Sequence, residues 1–173
     1  MKKIKQLGTI AFFALALTFG SCSSDDDGGS TGGDSVANGT INATVDGNNI
    51  TTLVQTTGGL VSGTDFSMIG STISGETLQV SVKGFTGVGT YNLLATSTNI
   101  GAELFYSKID MNDPESTHNL WTAPFGSNTG VSGVFTVTEI TDTNIKGTFS
   151  FKGANDLGNI KEVKNGKFNV ILD

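Results

Sequence analysis

Leu78, Val80 and Val82 alternate with Gln79, Ser81 and Lys83. Ile145, Gly147, Phe149 and Phe151 alternate with Lys146, Thr148, Ser150 and Lys152. Phe135 and Val137 sit among Thr136 and Thr138, and Phe168, Val170 and Leu172 carry the same beat to the last segment. A period of two sends successive side chains to opposite faces of a strand, so these segments predict half-buried antiparallel strands. Beyond the N-terminal apolar run, no window carries a sustained helical stripe.

Turn-forming clusters cut this pattern at short intervals. Asp46–Asn49 separates Ile41–Val45 from Ile50–Val54, Ser74–Thr77 separates Phe66–Ile73 from Leu78–Val82, and Asp142–Asn144 separates Val131–Ile140 from Ile145–Phe151. Asn155–Gly158 leads into Ile160–Val163. Lys164-Asn165-Gly166-Lys167 holds the strongest hairpin dipeptide of the chain and predicts a turn into Phe168–Leu172. Thr90–Leu93, Ala102–Ile109 and Asn119–Thr122 complete a set of about ten strands between residues 39 and 173. With no helix to cover an open sheet, that set predicts an all-β domain, either an antiparallel β-sandwich or a flattened β-barrel.

The N-terminus follows a different rule. Lys2, Lys3 and Lys5 precede an apolar run from Thr9 to Phe19. A membrane-spanning helix needs about 20 apolar residues, and this run is shorter, so it predicts a secretory signal over residues 1–21. Phe19-Gly20-Ser21-Cys22 follows. It resembles the lipobox of bacterial lipoproteins, with Phe19 where Leu is commonest. That resemblance implies a lipid on Cys22, which would become the first residue of the processed chain. Cys22 is the single cysteine, so no intrachain disulfide can form.

Residues 22–38, the cysteine and the Gly-, Ser- and Asp-rich stretch after it, offer little to bury, which predicts a flexible acidic tether. Ser23-Ser24-Asp25-Asp26-Asp27 resembles the export signal of bacteroidete-type lipoproteins, an acidic cluster that implies transfer to the outer face of the outer membrane. Asp34-Ser35-Val36 resembles an O-glycosylation acceptor of the same bacterial group, with Ser35 as the acceptor.

Charge narrows the functional classes. All ten basic residues are lysine, against 16 acids. Removing residues 1–21 takes away three lysines and no acid, leaving seven against 16 and a net charge of −9. Nucleic-acid binding calls for a basic face, and the bidentate guanidinium fork is missing altogether. Nucleic acid is therefore not an expected partner.

The β domain also resembles small bacteroidete-type surface lipoproteins whose single β domain has no known activity. The residues that carry the resemblance are Ile41–Gly47, Gly89–Leu93, Gly133–Ile140 running into Ile145–Phe151, and Asn165–Val170. It implies fold and location and no chemistry.

Candidate chemistry is sparse. His118 is the single histidine and stands in a polar stretch, which predicts an exposed loop residue with no catalytic role. No nucleophile elbow, phosphate loop or dinucleotide fingerprint is present. Glu103 lies inside an aromatic strand and by alternation shares a face with Phe105, opposite Leu104 and Tyr106. It is expected to point outward, with a glycosidase role as the sharper alternative. Asp110, Asn112, Asp113 and Glu115 offer oxygens for calcium, but a polar turn around Pro114 is expected there. Trp121 and Phe125 flank Pro124 and are ligand-stacking candidates, with burial at the end of the core the stronger expectation.

The sequence thus predicts a lipid-anchored, surface-exposed envelope lipoprotein with a non-catalytic binding or interaction domain. It needs no cofactor and no metal. Its partners would be the membrane, the lipoprotein processing and export machinery, and a glycan, peptide or envelope protein. The alternatives are a small glycan-active hydrolase or its accessory module, and a lipocalin-like carrier of an apolar ligand.

Overall fold

The computed structural model describes residues 36–92, 101–114, 116–123 and 130–173. They form eleven antiparallel strands and two single-turn 3-10 segments, Val54–Thr56 and Thr117–Asn119. The strands are β1 (Thr40–Val45), β2 (Asn48–Thr51), β3 (Gly58–Ser62), β4 (Asp65–Ser71), β5 (Glu76–Lys83), β6 (Gly89–Asn92), β7 (Gly101–Lys108), β8 (Leu120–Ala123), β9 (Ser132–Ile140), β10 (Asn144–Ala154) and β11 (Ile160–Ile171). They build one curled sheet in the order β2-β1-β11-β10-β8-β7-β5-β4-β3, with β9 and β6 branching from β10. The domain is all-β, as the alternation predicted, and the architecture is a half-barrel.

The branch and the curl follow from strand length and bulges. At eleven residues, β10 outlasts its partner β9. It pairs with β9 from Ile145 to Lys152 and meets β8 only at Ala154, opposite Thr122. Gly153 permits that approach, because a Cβ there would stand 3.1 Å from the backbone of Trp121. One bulge lies on β9 next to Thr138, and another lies on β11 at Lys164 and Asn165. Bulges bend a strand and tighten its twist. At the far end of the path, Gly59 of β3 forms a parallel bridge with Leu172, and the Asp173 N–H donates to the Gly59 carbonyl at 3.0 Å.

One sequence expectation is corrected and one strand is added. Lys164–Lys167 is not a turn: Ile160–Val163 and Phe168–Leu172 belong to one continuous strand, and Asn165 takes φ +52° inside its bulge. Asn-Gly favours the left-handed region that both a hairpin turn and this bulge require, so the local signal is the same. Gly58–Ser62, which is not among the expected strands, is strand β3; its two adjacent glycines carry no alternating side chains. Trp121 lies inside β8, in the strand expected over Asn119–Thr122.

The alternating apolar positions face inward together. Leu78, Val80, Val82, Leu104, Phe135, Val137, Ile145, Phe168 and Val170 are all 2% exposed or less. Each large apolar side chain so buried stabilises by about 1.5–3 kcal/mol. Aromatic rings run through the interior in sequence: Phe85–Phe66 at 5.2 Å between centroids, Phe66–Phe135 at 5.7 Å, Phe135–Phe168 at 4.9 Å and Phe168–Phe149 at 6.5 Å. This packed row occupies the space in which a lipocalin-like carrier would hold its ligand.

Candidate functional site

Strand β7 places the two candidates of the aromatic segment as alternation requires. Leu104 and Tyr106 are buried, whereas Glu103 and Phe105 are half-buried and face outward. The register then decides their neighbours. Phe105 stands opposite Gln79 on β5 and opposite Thr122 on β8. Gln79 stands opposite Ile69 on β4, and Ile69 opposite Gly58 on β3. One outward row, Gly58–Ile69–Gln79–Phe105–Thr122, therefore crosses five strands. At about 4.8 Å between strands it spans about 19 Å. Glu103 begins the adjacent row, facing Ser81 and then Ser67.

The β3 end of that row opens into a groove of about 400 Å³ between the 3-10 turn and the sheet. Gln55, Gly58, Leu60, Ser67, Ile69 and Gln79 line it together with Asp173. Gly58 makes room: no other side chain fills its place, and a Cβ there would meet only Asp173 Oδ2, at 3.6 Å. Gln79 borders both the groove and Phe105, so the two are continuous.

Trp121 belongs elsewhere. It faces Tyr106 across the β7–β8 ladder, on the inward side, and its ring lies 5.7 Å from the Tyr106 ring. The Lys161 ammonium sits 4.4 Å from the indole centroid, within cation–π range. Lys161 Nζ also donates to Asp46 Oδ2 at 2.7 Å, and the Tyr106 hydroxyl donates to Glu76 Oε1 at 2.9 Å. The Lys161 hydrogen bond, helped by the Glu162 backbone N–H, holds the Asp46 carboxyl below its ordinary range despite partial burial. Burial, reinforced by the Glu76 carboxylate, pushes the Tyr106 phenol well above its ordinary value. The half-buried Trp121 packs against the core.

His118 is exposed, as expected, but not solitary. Its Nδ1 lies 2.6 Å from Asp156 Oδ1 and 2.8 Å from Oδ2, and its backbone carbonyl accepts from Asn155 Nδ2 at 2.8 Å. Among the described residues no hydroxyl is hydrogen-bonded to its ring, so no triad is assembled there. Asp110 accepts from the Asn112 backbone N–H at 2.9 Å and from Asn112 Nδ2 at 3.3 Å, and its carbonyl accepts from the Asp113 N–H at 3.1 Å. This is a side-chain-stabilised turn. Among the described residues no three His, Cys, Asp or Glu side chains converge as a metal would need.

Cys22, Ser23, Ser24, Asp25, Asp26, Asp27, Ser35, Glu115 and Phe125 lie outside the described residues. Of the four ligand-contact candidates, the fold brings Glu103 and Phe105 to one outward face and sends Trp121 inward. Gly58, Ile69 and Gln79 were missed. Their signal is register across β3, β4 and β5, which no single segment carries. Compared with known proteins, the chain matches no family model, no curated protein and no solved structure.

Proposed function

We propose that this chain is a lipid-anchored envelope lipoprotein, held at Cys22 and displayed on the outer face of the outer membrane, whose β domain is a non-catalytic binding module. The observation that carries the binding reading is the outward Phe105, flanked in register by Gln79 and Thr122. An aromatic ring beside amide and hydroxyl groups offers one face for stacking and adjacent groups for hydrogen bonds. Poverty in acid–base groups supports the same reading: Glu103 faces the Ser81 hydroxyl across the β5–β7 ladder and not a second carboxylate. The anchor reading rests on the signal, the small residues before Cys22 and the aspartates after it. Two or three acyl chains on Cys22 would give stable attachment without a spanning segment.

The test has two arms. Cys22→Ser should release the protein from the membrane fraction, and alanine at Asp25, Asp26 and Asp27 should protect the domain from protease added to intact cells. The processed chain, made soluble by Cys22→Ser, should bind one class of probe on a combined glycan and peptide array and lose it in Phe105→Ala. An unchanged membrane fraction, or binding indifferent to Phe105, overturns the corresponding half of the proposal.

A further inference from the structure

The outward row and the groove together narrow the ligand, resting on the binding-module reading above. We infer that the Gly58 groove and Phe105 form one elongated site for a linear, uncharged glycan.

The first argument is the state of the backbone. Strands β4, β5 and β7 are each paired on both edges, so their N–H and C=O groups are consumed by ladders. A peptide binding as an added strand needs free edge groups. Over these three strands a ligand meets side chains and not free ladder groups. The side chains of the site include two amides, Gln55 and Gln79, the Ser67 and Thr122 hydroxyls, and the apolar surfaces of Leu60, Ile69 and Phe105. A sugar ring presents hydroxyls at its edge and C–H groups on its faces. Amides and hydroxyls supply donors and acceptors to the edge, while aliphatic and aromatic surfaces take the faces.

The second argument is charge. Glu103 beside the row and Asp173 in the groove lining are both acidic, and lysines are not among the groove's lining groups. The chain from Cys22 onward carries a net −9. A polyanionic glycan would meet like charge at the site and across the protein.

The third argument is length and shape. The row spans about 19 Å from Gly58 to Thr122, enough for a few linked rings. The groove is partly open to solvent and continuous with the row at Gln79, which suits a stretch of a polymer longer than the groove itself.

Gly58 supplies the test. Its backbone does not have positive φ, and a Cβ has space beside Asp173. Gly58→Val therefore puts methyl groups into the groove while keeping a residue suited to a strand. The processed chain carrying Cys22→Ser is run in native gels containing a neutral β-glucan, xylan or mannan, or alginate as the polyanion. The expected result is retardation by a neutral polysaccharide and none by alginate, weakened at least tenfold by Gly58→Val and by Phe105→Ala, with the wild-type melt retained. Gln79→Ala is the second variant, and it should weaken binding in the same gels if Gly58→Val does not fold. Loss with Phe105→Ala but full binding in Gly58→Val and Gln79→Ala overturns the groove and leaves the binding module standing. Retardation by alginate equal to that by neutral polymers, or array binding to peptides alone, overturns the uncharged-glycan assignment. Absence of retardation by every neutral polymer overturns it as well.

Discussion

The ring of Phe168 occupies the space that a side chain at Gly147 would need. The two residues are paired across the β10–β11 ladder, and a Cβ at Gly147 would lie 2.6 Å from Phe168 Cζ. Phe149 and Gly166 repeat the arrangement with the roles of the strands exchanged: a Cβ at Gly166 would lie 2.7 Å from the Phe149 ring. At each glycine a phenylalanine ring on the opposite strand and a backbone carbonyl oxygen together take the space of a side chain, and both rings belong to the aromatic row of the interior.

Gly147→Ala should therefore be strongly destabilising. The added methyl also overlaps the Thr136 carbonyl oxygen, so β9 as well as the ring must shift. Overpacking costs about 1–3 kcal/mol, and this site belongs at the upper end because backbone must move. Gly58→Ala should lie within about 0.5 kcal/mol of wild type, since that position is open. Denaturant melts of the two variants make the comparison, and equal losses would contradict the packing described here.

Trp121→Ala should cost about 2 kcal/mol, below the 3–5 kcal/mol of a fully buried tryptophan, because the ring is half-buried. Lys161→Met keeps the aliphatic stem and removes the ammonium from the indole face. It should shift the emission of this single tryptophan while changing stability by about 1 kcal/mol or less. Neither substitution should alter binding on the outward row, because Trp121 faces the other way. Loss of ligand in Trp121→Ala with an unchanged melt would return that residue to the binding site.

Asn165→Val should cost about 1–3 kcal/mol, whereas Asn165→Gly should be near neutral. Asn165 holds φ +52° in the β11 bulge, a conformation that a β-branched residue resists and glycine adopts freely. Thermal melts of the pair give the measurement. A tolerated valine would mean that the bulge can migrate along β11.

Stability should fall at both ends of the pH scale for separate reasons. Asp46 has a lowered folded-state pKa, so its contribution is present above the ordinary carboxylate range and is lost as pH falls through the folded value. Lys161→Met should flatten that acid limb, because the Lys161 hydrogen bond is the largest cause of the shift. Tyr106 has a raised folded-state pKa, so its contribution is full below the ordinary phenol value of 10.0 and declines as pH rises above it, where the unfolded chain ionises first. Tyr106→Phe should flatten the alkaline limb. Urea melts across pH in the three proteins separate the two effects, and parallel curves would refute both assignments.

The chain's own residue order determined the strand content and the inward faces. Period-two alternation is a local property, and Leu78, Val80 and Val82 or Phe135 and Val137 show their buried side without any knowledge of their partners. It also placed Glu103 and Phe105 outward together, and it marked the Asn155–Gly158 turn that joins β10 to β11. Tertiary structure decided what depends on pairing between distant segments. Asn165-Gly166 has the same local conformational preference in a turn and in a bulge, and only the ladders to β10 and β1 select the bulge. Gly58-Gly59 lacks the side chains that reveal a strand, and it becomes β3 because β4 and Leu172 hold its edges. Trp121 turns inward through the register that sets it opposite Tyr106, while Gly58, Ile69, Gln79, Phe105 and Thr122 become one surface through four successive registers. A strand's alternation says which side chains share its face; the hydrogen-bond register with its neighbours decides which of those faces meet.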